Sequence, residues 1–313
     1  MTTIERLDEW KAIGIISETQ HASLSALVRG ERLSVFVELN ALLYIGVLSV
    51  IGGLGWTFRD YVQDLGDAAI LSILIVLVTA ALGYCFARGN PYSNAQVESP
   101  TLIFDYVLYF GCLAFSLTLA FVETRFGIFG GWDWHLLAAA LLFGALAYRF
   151  DNRFVLSLAL STIAGYLGLT LSLMDAIDSD VLRASAIAYG ALLLGVGLVL
   201  NRAGIKRHFL DVYLQLGANA VLLAMISGIF EPVSWTAYLP GLLLLSAAAI
   251  YFGIGYRKFA FVAYGTLYGY AGLTARLLPS VGSITGALIY LIFTGSLVIV
   301  ALVVVARRFG RDE

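Results

Sequence analysis

The dominant feature of this chain is a series of long, continuously apolar segments separated by short polar turns. Each segment is about 17–23 residues long, the length that an α-helix needs to cross a hydrocarbon core of roughly 30 Å. A strand barrel would show alternating ten-residue segments instead. The pattern predicts an all-α, polytopic membrane helix bundle with ten spans, at 39–58, 66–87, 103–122, 134–150, 154–174, 182–200, 209–230, 237–256, 259–278 and 284–306.

A second pattern is an internal repeat of the form T-x-x-G-Y-x-G-L-T, which begins at Thr162 and again at Thr266. Aligned without gaps, residues 153–174 and 257–278 share nine identities in 22 positions. Apolar composition alone would give roughly two or three such identities. The repeat therefore predicts that a membrane unit has been duplicated within the chain.

The duplicated unit contains four predicted spans, and this even number determines its orientation. Both copies must enter the membrane in the same direction, so the two repeats are expected to be parallel and related by an axis along the membrane normal. The predicted organisation is a cytoplasmic helical hairpin at 1–38, two lead transmembrane helices at 39–102, one four-helix repeat at 103–202 and a second at 209–308.

The polar segment 1–38 predicts a small cytoplasmic module of two short helices. Gly14 is expected to end the first helix, and Ser17 with Gln20 three residues later predicts a capping box at the start of the second. Two short helices bury little surface by themselves. We therefore expect this hairpin to dock on a second copy, on the membrane face or on a cytoplasmic partner.

Several residues in this opening segment and in the first predicted span form a characteristic set. They are Trp10, Gly14, Ile15, Ile16, Ser17 and Gln20, then Leu43-Tyr44-Ile45-Gly46-Val47 and Gly55-Trp56. On these residues the N-terminal part of the chain resembles the domain-of-unknown-function 2157 family of bacterial multi-pass membrane proteins. The resemblance implies a protein of the bacterial cytoplasmic (inner) membrane and implies no particular activity.

Composition and charge agree with a membrane protein and indicate its orientation. The chain is 60% hydrophobic and only 13% charged, which excludes a soluble globule. Its pI of about 5.9, without a basic stripe, gives no support for nucleic-acid binding. If the N-terminus is cytoplasmic, 15 of the 19 Lys and Arg residues fall on the cytoplasmic side. The positive-inside rule then predicts that both termini are cytoplasmic.

Motifs that would indicate catalysis or a bound cofactor are missing from the sequence. His21, His135 and His208 are scattered without metal-ligand spacing, and Cys85 and Cys112 lack a C-x-x-C arrangement. A phosphate-binding loop and a G-x-S-x-G elbow are also absent. We expect no enzyme activity, no cofactor and no metal site.

Polar residues within the predicted spans lead to two hypotheses about function. The first is a small-solute permease with its site between the repeats, and its candidate lining residues are Tyr166, Thr170, Gln215, Asn219, Tyr270 and Thr274. The second is a non-transporting membrane scaffold or sensor, which uses residues 1–38 for partner binding or self-association. Under the second hypothesis the same polar residues hold helices together, because unpaired amides and hydroxyls are costly in lipid.

The glycines of the repeated segments are candidates for close helix packing, because small residues let two helix backbones approach in lipid. These glycines are Gly165, Gly168, Gly265, Gly269 and Gly272. Arg276 lies just inside the outer end of a predicted span and is a candidate ion-pair partner for Glu231. The alternative for Arg276 is that its side chain extends to the membrane surface.

Overall fold

A computed structural model gives the fold of this chain, and its elements are helices, with no strand among the residues that the structure describes. Those residues are 3–15, 17, 18, 20, 21, 25, 66–128, 132–173, 179–231 and 235–311. The predicted first span at 39–58 lies outside them. The chain divides into two units, one comprising residues 67–302 and the other residues 1–66 with 303–313.

In the smaller unit, helix α1 (Thr3–Ala12) is linked to the residues that follow it by an ion pair and a side-chain hydrogen bond. Lys11 Nζ lies 2.6 Å from Glu18 Oε1, and His21 Nε2 lies 2.7 Å from Asp8 Oδ1. The hydrogen bond and the positive charge of Lys11 lower the pKa of the Glu18 carboxyl below its ordinary value. These contacts join α1 to the segment 17–21 across the turn at Gly14.

The predicted capping box is present at Ser17 and Gln20. The Ser17 N–H donates to Gln20 Oε1 at 2.8 Å, and the Gln20 N–H donates to Ser17 Oγ at 3.2 Å. Trp10, Ile13 and Ile15 are exposed, with 44%, 64% and 65% of their surface accessible. This part of the chain therefore presents an apolar surface around its turn.

The larger unit is a series of helices joined mostly by short turns. They are α2 (Asp67–Arg88), α3 (Leu102–Phe126), α4 (Trp132–Phe150), α5 (Arg153–Leu173), α6 (Ser179–Arg202), α7 (Leu210–Ile229), α8 (Trp235–Gly255), α9 (Phe259–Leu277) and α10 (Ile284–Arg311), of which residues 284–302 belong to this unit. Short 3-10 helices at Arg207–Phe209 and Leu278–Val281 precede α7 and follow α9. A helix thus occurs at each predicted span from residue 66 onward.

Seven helices of the described chain are long and apolar enough to cross a membrane, which confirms the multi-pass helical bundle. The other two in this region are more polar. Helix α4 begins with Trp132-Asp133-Trp134-His135, and α9 contains several tyrosines, glycines and threonines with Arg276 near its end. The count of ten spans therefore stays a prediction.

Helices that follow one another pack as antiparallel pairs, most extensively α2 with α3, α4 with α5, α6 with α7, and α8 with α9. Helix α7 is the most central, because it contacts α5, α6, α8 and α9. A buried cluster extends through α2–α7 and includes Phe104, Leu108, Leu156, Phe209 and Tyr213. A smaller cluster on α7 and α8 is formed by Leu222, Ile229 and Leu242.

Glycines allow two of these helix pairs to approach closely. A Cβ atom placed on Gly190 of α6 would lie 2.7 Å from the Gly217 carbonyl oxygen of α7. A Cβ atom on Gly265 of α9 would overlap the Ser246 carbonyl oxygen of α8. Both contacts are with backbone atoms, which cannot move aside as a flexible side chain can.

The candidate packing glycines differ in their surroundings between the two repeated segments. Gly269 and Gly272 face α8, where added Cβ atoms would meet Ser246 and Leu242. In contrast, a Cβ on Gly168 would meet nothing within 4 Å, and one on Gly165 would meet only Leu136, at 4.0 Å. Gly165 lies on an exposed face of α5, so its role in close helix packing stays a prediction.

We predict opposite effects of glycine-to-alanine substitution in the two segments. Gly265→Ala forces α8 and α9 apart and should lower the free energy of unfolding by about 1–3 kcal/mol. Gly168→Ala is the matched control, and it should be neutral or raise stability by up to about 1 kcal/mol through helix propensity. Unfolding in mixed micelles measures both. Similar losses for the two variants would contradict the close contact at Gly265.

Candidate functional site

One face of the larger unit gathers the turns that follow α2, α4, α6 and α8. We call it the basic face, since it carries Arg88, Arg149, Arg153, Arg202, Lys206, Arg207, Arg257 and Lys258. Hydrogen bonds connect its turns: Arg149 Nη1 donates to the Asn90 carbonyl oxygen at 2.8 Å, and the Lys206 N–H donates to the Asn94 carbonyl oxygen at 3.2 Å. The turns at this end of the bundle therefore form a connected polar layer.

Asp151 lies at the centre of this layer, with a side chain only 1% exposed. Its carboxylate accepts a hydrogen bond from the Val97 N–H and pairs with His208 Nε2. Lys206 Nζ, on a side chain that is also 1% exposed, lies 3.1 Å from Asp151 Oδ1. Buried charges are tolerated only when paired in this way, so Asp151 fixes three turns that are far apart in the sequence.

The backbone at the two ends of this ion pair has the left-handed conformation, with φ of 58° at Asp151 and 45° at Lys206. Aspartate adopts this conformation more readily than lysine does. Holding a side chain-bearing residue there costs on the order of 1–3 kcal/mol when the surroundings impose it. The ion pair and the packing around Lys206 must supply that free energy.

A small cavity borders the ion pair and is lined in part by Asn90, Glu98 and Arg149. Its volume is about 10 Å³, which is room for about one water molecule. Although Lys206 Nζ is close to Asp151, it makes no hydrogen bond of good geometry. It lies 4.9 Å from the centre of the Tyr92 ring. The ammonium group is thus held by charge and by an aromatic face rather than by directed hydrogen bonds.

Sequence reasoning did not identify the Asp151–Lys206–His208 cluster. The sequence did contain one indication of this cluster. Asp151 lies in one short turn and Lys206 and His208 in another, and the positive-inside pattern places both turns on the same side of the membrane. The sequence did not indicate that these turns fold against one another. That information depends on the packing of α4 and α5 beside α7.

We predict that removing one charge of the buried pair is far more costly than removing the whole pair. Asp151→Asn keeps a residue that accepts positive φ but leaves Lys206 uncompensated, and should cost about 3–5 kcal/mol of unfolding free energy. Asp151→Asn combined with Lys206→Met should recover much of this loss. Unfolding in mixed micelles is the measurement.

Lys258→Met is the matched control for the Asp151 and Lys206 substitutions. The Lys258–Asp211 pair is partly exposed, with 43% and 33% of the side-chain surfaces accessible, and its loss should cost less than about 1 kcal/mol. Equal losses for Asp151→Asn and Lys258→Met would show that burial of the Asp151 pair has no energetic consequence.

The opposite face of the larger unit has its own buried cation, Arg183 at the start of α6, whose side chain is 3% exposed. It donates to Glu231 Oε1 at 3.1 Å and to Ser227 Oγ at 3.2 Å, and it pairs with Asp180. Its guanidinium also lies 5.1 Å from the centre of the Tyr238 ring. Arg183 therefore connects α6 to the turn between α7 and α8.

The candidate pair Glu231 and Arg276 meets in a different way from the one proposed. The Glu231 carboxylate pairs with Arg183, while Arg276 Nη2 donates to the backbone carbonyl oxygen of Glu231 at 3.1 Å and to that of Ile229. The Arg276 guanidinium lies over the Trp235 ring, 4.4 Å from its centre. Both side chains thus hold the end of α7, but through separate contacts.

Four of the six candidate lining residues, Thr170, Asn219, Tyr270 and Thr274, make side-chain contacts within or between helices. Thr170 donates to the Tyr166 carbonyl oxygen of its own helix, and Asn219 donates likewise to that of Gln215. The Tyr268 hydroxyl donates to Asn219 Oδ1 at 3.2 Å, which joins α9 to α7.

The remaining two candidates face α10. The Tyr270 hydroxyl lies 3.0 Å from Thr294 Oγ1, and Thr274 Oγ1 lies 3.5 Å from the Tyr290 hydroxyl. Tyr166 and Thr170 are on α5, and the structure does not bring them to this cluster on α9 and α10.

The described residues contain no group of three His, Cys, Asp or Glu side chains that could hold a metal ion. Cys85 and Cys112 are both buried as free thiols. Within each face, the charged side chains pair with nearby polar groups and thereby fix helix ends. These contacts can hold the helix bundle together within a membrane.

These features define a multi-pass helical membrane protein. Residues 8–156, the N-terminal part of the chain, match the family described as "Predicted membrane protein (DUF2157)". This match confirms the resemblance noted from Trp10 to Trp56. No curated protein and no solved structure matches the chain.

Proposed function

We propose that this chain is a non-transporting membrane scaffold or sensor, which uses its N-terminal residues 1–38 for partner binding or self-association. The observation that carries the proposal is that polar side chains within the predicted spans contact polar side chains of neighbouring helices. Asn219, Tyr270 and Thr274 each contact a polar group on a neighbouring helix, Tyr268, Thr294 and Tyr290 respectively. Such pairs hold helices together in lipid, which is the role expected of polar groups in a scaffold.

The runner-up function, a small-solute permease, needs the six candidate residues to share a water-filled path. The cavity beside Lys206 and an apolar groove on α6–α9 are lined by other residues. A permease also needs polar groups that are available to its substrate, whereas Thr170 and Asn219 donate to carbonyl oxygens of their own helices. These observations favour the scaffold.

The proposal includes ten spans with two parallel four-helix repeats, and matching contacts support the repeats. Asp105 at the start of α3 accepts a hydrogen bond from Asn152 Nδ2 at 3.0 Å. Asp211 at the start of α7, 106 positions later, pairs with Lys258 Nζ at 2.8 Å, and Lys258 is 106 positions after Asn152. The two contacts join the same pair of elements in each repeat.

The turns that precede α5 and α9 are also alike. The Asn152 N–H donates to the Ala147 carbonyl oxygen, and the Lys258 N–H donates to that of Gly253. Asp151 and Arg257, which precede them, both have positive φ, 58° and 55°. Both helices start at the basic face and run in the same direction, as parallel repeats require. With Lys and Arg concentrated on this face, the proposed location is the bacterial cytoplasmic membrane with both termini cytoplasmic.

Trp10, Ile13 and Ile15 support the contact role of the N-terminal segment. Large apolar side chains clustered at an exposed turn are typical of a surface that binds another protein. The Lys11–Glu18 ion pair and the contact of Asp8 with His21 hold the turn in place. We propose self-association through this turn as the first case to test.

Cysteine accessibility tests scaffold against permease. The chain has two cysteines, so Cys85→Ala with Cys112→Ala gives a cysteine-free background. In it we expect Thr170→Cys, Asn219→Cys and Thr274→Cys to react with a charged maleimide no faster than a lipid-facing control, because in a scaffold these positions line no water-filled path.

The controls for this experiment are Leu244→Cys, which is 72% exposed on α8, and Ala95→Cys, which is exposed in the turn after α2. Right-side-out and inside-out vesicles, used separately, expose one face of the membrane each to the reagent. Ala95→Cys should react from one side and Leu244→Cys from neither. Fast reaction at Asn219→Cys and Thr170→Cys together would overturn the scaffold proposal and favour the permease.

A second test concerns the exposed turn. Trp10→Ser with Ile13→Ser and Ile15→Ser should abolish self-association of the purified full chain, measured by light scattering in detergent, while the unfolding midpoint stays the same. Glu9→Ser, on the exposed surface of α1, is the matched control and should leave association intact. An unchanged oligomer in the triple variant would remove the support for self-association through this turn.

A further inference from the structure

An apolar groove lies between two tightly packed helix pairs of the larger unit. Helices α6 and α7 approach closely at Gly190 and Gly217, and α8 and α9 approach closely at Gly265 and Ser246. Helix α7 contacts α8 less extensively than it contacts α6. The space left between the pairs is a groove with α7 as its floor, and its walls include Leu194, Leu245 and Phe252.

The size and lining of the groove indicate what can occupy it. Its volume is about 210 Å³, and its lining exposes apolar surface only. A cavity of about 150 Å³ takes a six-carbon ring, so this groove admits on the order of eight carbons. An α-helix with its side chains is about 10–12 Å wide and is too large. An alkyl chain fits.

The position of the groove places one of its ends near the basic face. Leu214 is one turn into α7 from Asp211, and Phe252 is about one turn before the end of α8. At that end the Lys258–Asp211 pair joins the starts of α9 and α7. Arg202, which ends α6, and Arg257 are exposed on the same face. An anionic group at this end of the groove would therefore meet an excess of positive charge.

We propose that the groove binds one acyl chain of an anionic phospholipid, whose phosphate headgroup is held at the basic face by Arg202, Arg257 and Lys258. The apolar walls bind the chain, and the basic residues select the headgroup. The site is distinct from the proposed contact role of residues 1–38. It concerns a bound lipid and holds whether the protein is a scaffold or a permease.

Lipid retention by the purified full chain tests the proposal. Native mass spectrometry counts bound lipids after incubation with phosphatidylglycerol or phosphatidylcholine. The unsubstituted chain should retain one phosphatidylglycerol, with a preference over phosphatidylcholine on the order of tenfold. Equal retention of the two lipids would overturn the headgroup assignment.

Variants separate the two parts of the site. Ala249→Phe fills the groove and should abolish retention of both lipids, whereas Leu244→Phe, on a lipid-facing part of the same helix, should not. Arg202→Gln with Arg257→Gln leaves the Lys258–Asp211 pair intact and should remove the preference for phosphatidylglycerol. Arg307→Gln with Arg308→Gln, both exposed on α10, is its matched control.

Three further results would overturn the proposal. The first is full lipid retention by Ala249→Phe, which would place the bound chain elsewhere. The second is an unchanged headgroup preference in Arg202→Gln with Arg257→Gln. The third is conversion of an oligomer to a monomer by Ala249→Phe, which would assign the groove to a side chain of a second copy. An unaltered unfolding midpoint in each variant confirms that the chain is folded.

Discussion

Charged groups buried in a membrane protein must be satisfied by the protein itself, and the Asp151 carboxylate, 1% exposed, is satisfied by partners from other turns of the bundle. It brings together Val97 from the turn after α2, its own turn after α4, and Lys206 with His208 from the turn after α6. Because a single removed partner leaves a buried charge, these three turns cannot move independently. The order of the helices from α2 to α7 at the basic face depends on this cluster.

The opposite face is fixed by cations rather than by an anion. Arg183 and Arg276 both bind at the end of α7, the first through the Glu231 carboxylate and the second through backbone carbonyl oxygens. A guanidinium suits this task because its donors can engage several acceptors while its plane lies over an aromatic ring, here Tyr238 and Trp235. With both of its ends held, α7 becomes the fixed element against which the two glycine-packed pairs leave the apolar groove.

The positions of the helices could be predicted from the sequence, because long apolar runs bounded by charges leave little choice in a bilayer. The direction in which each polar side chain points could not be predicted from the sequence. In α7, Gln215 and Asn219 form a polar stripe in any helix, but only the packed structure shows that Asn219 meets Tyr268. The Asp151 cluster was missed for the same reason, since no local pattern says that turns 55 residues apart (206 − 151) share one ion pair.

The repeated motif shows how far sequence identity determines packing. Under the proposed duplication, three of the buried residues of α5, Val155, Leu156 and Ala159, correspond to Phe261, Val262 and Gly265 of α9, each pair 106 positions apart. The T-x-x-G-Y-x-G-L-T motif recurs at a spacing of 104, so it lies two residues earlier in α9 than a constant spacing of 106 would place it. A shift of two positions along an α-helix moves a side chain by about 200° around the helix axis. The motif glycines of residues 257–278 therefore meet α8, whereas those of residues 153–174 lie away from close contact, so identical sequence motifs need not make identical contacts.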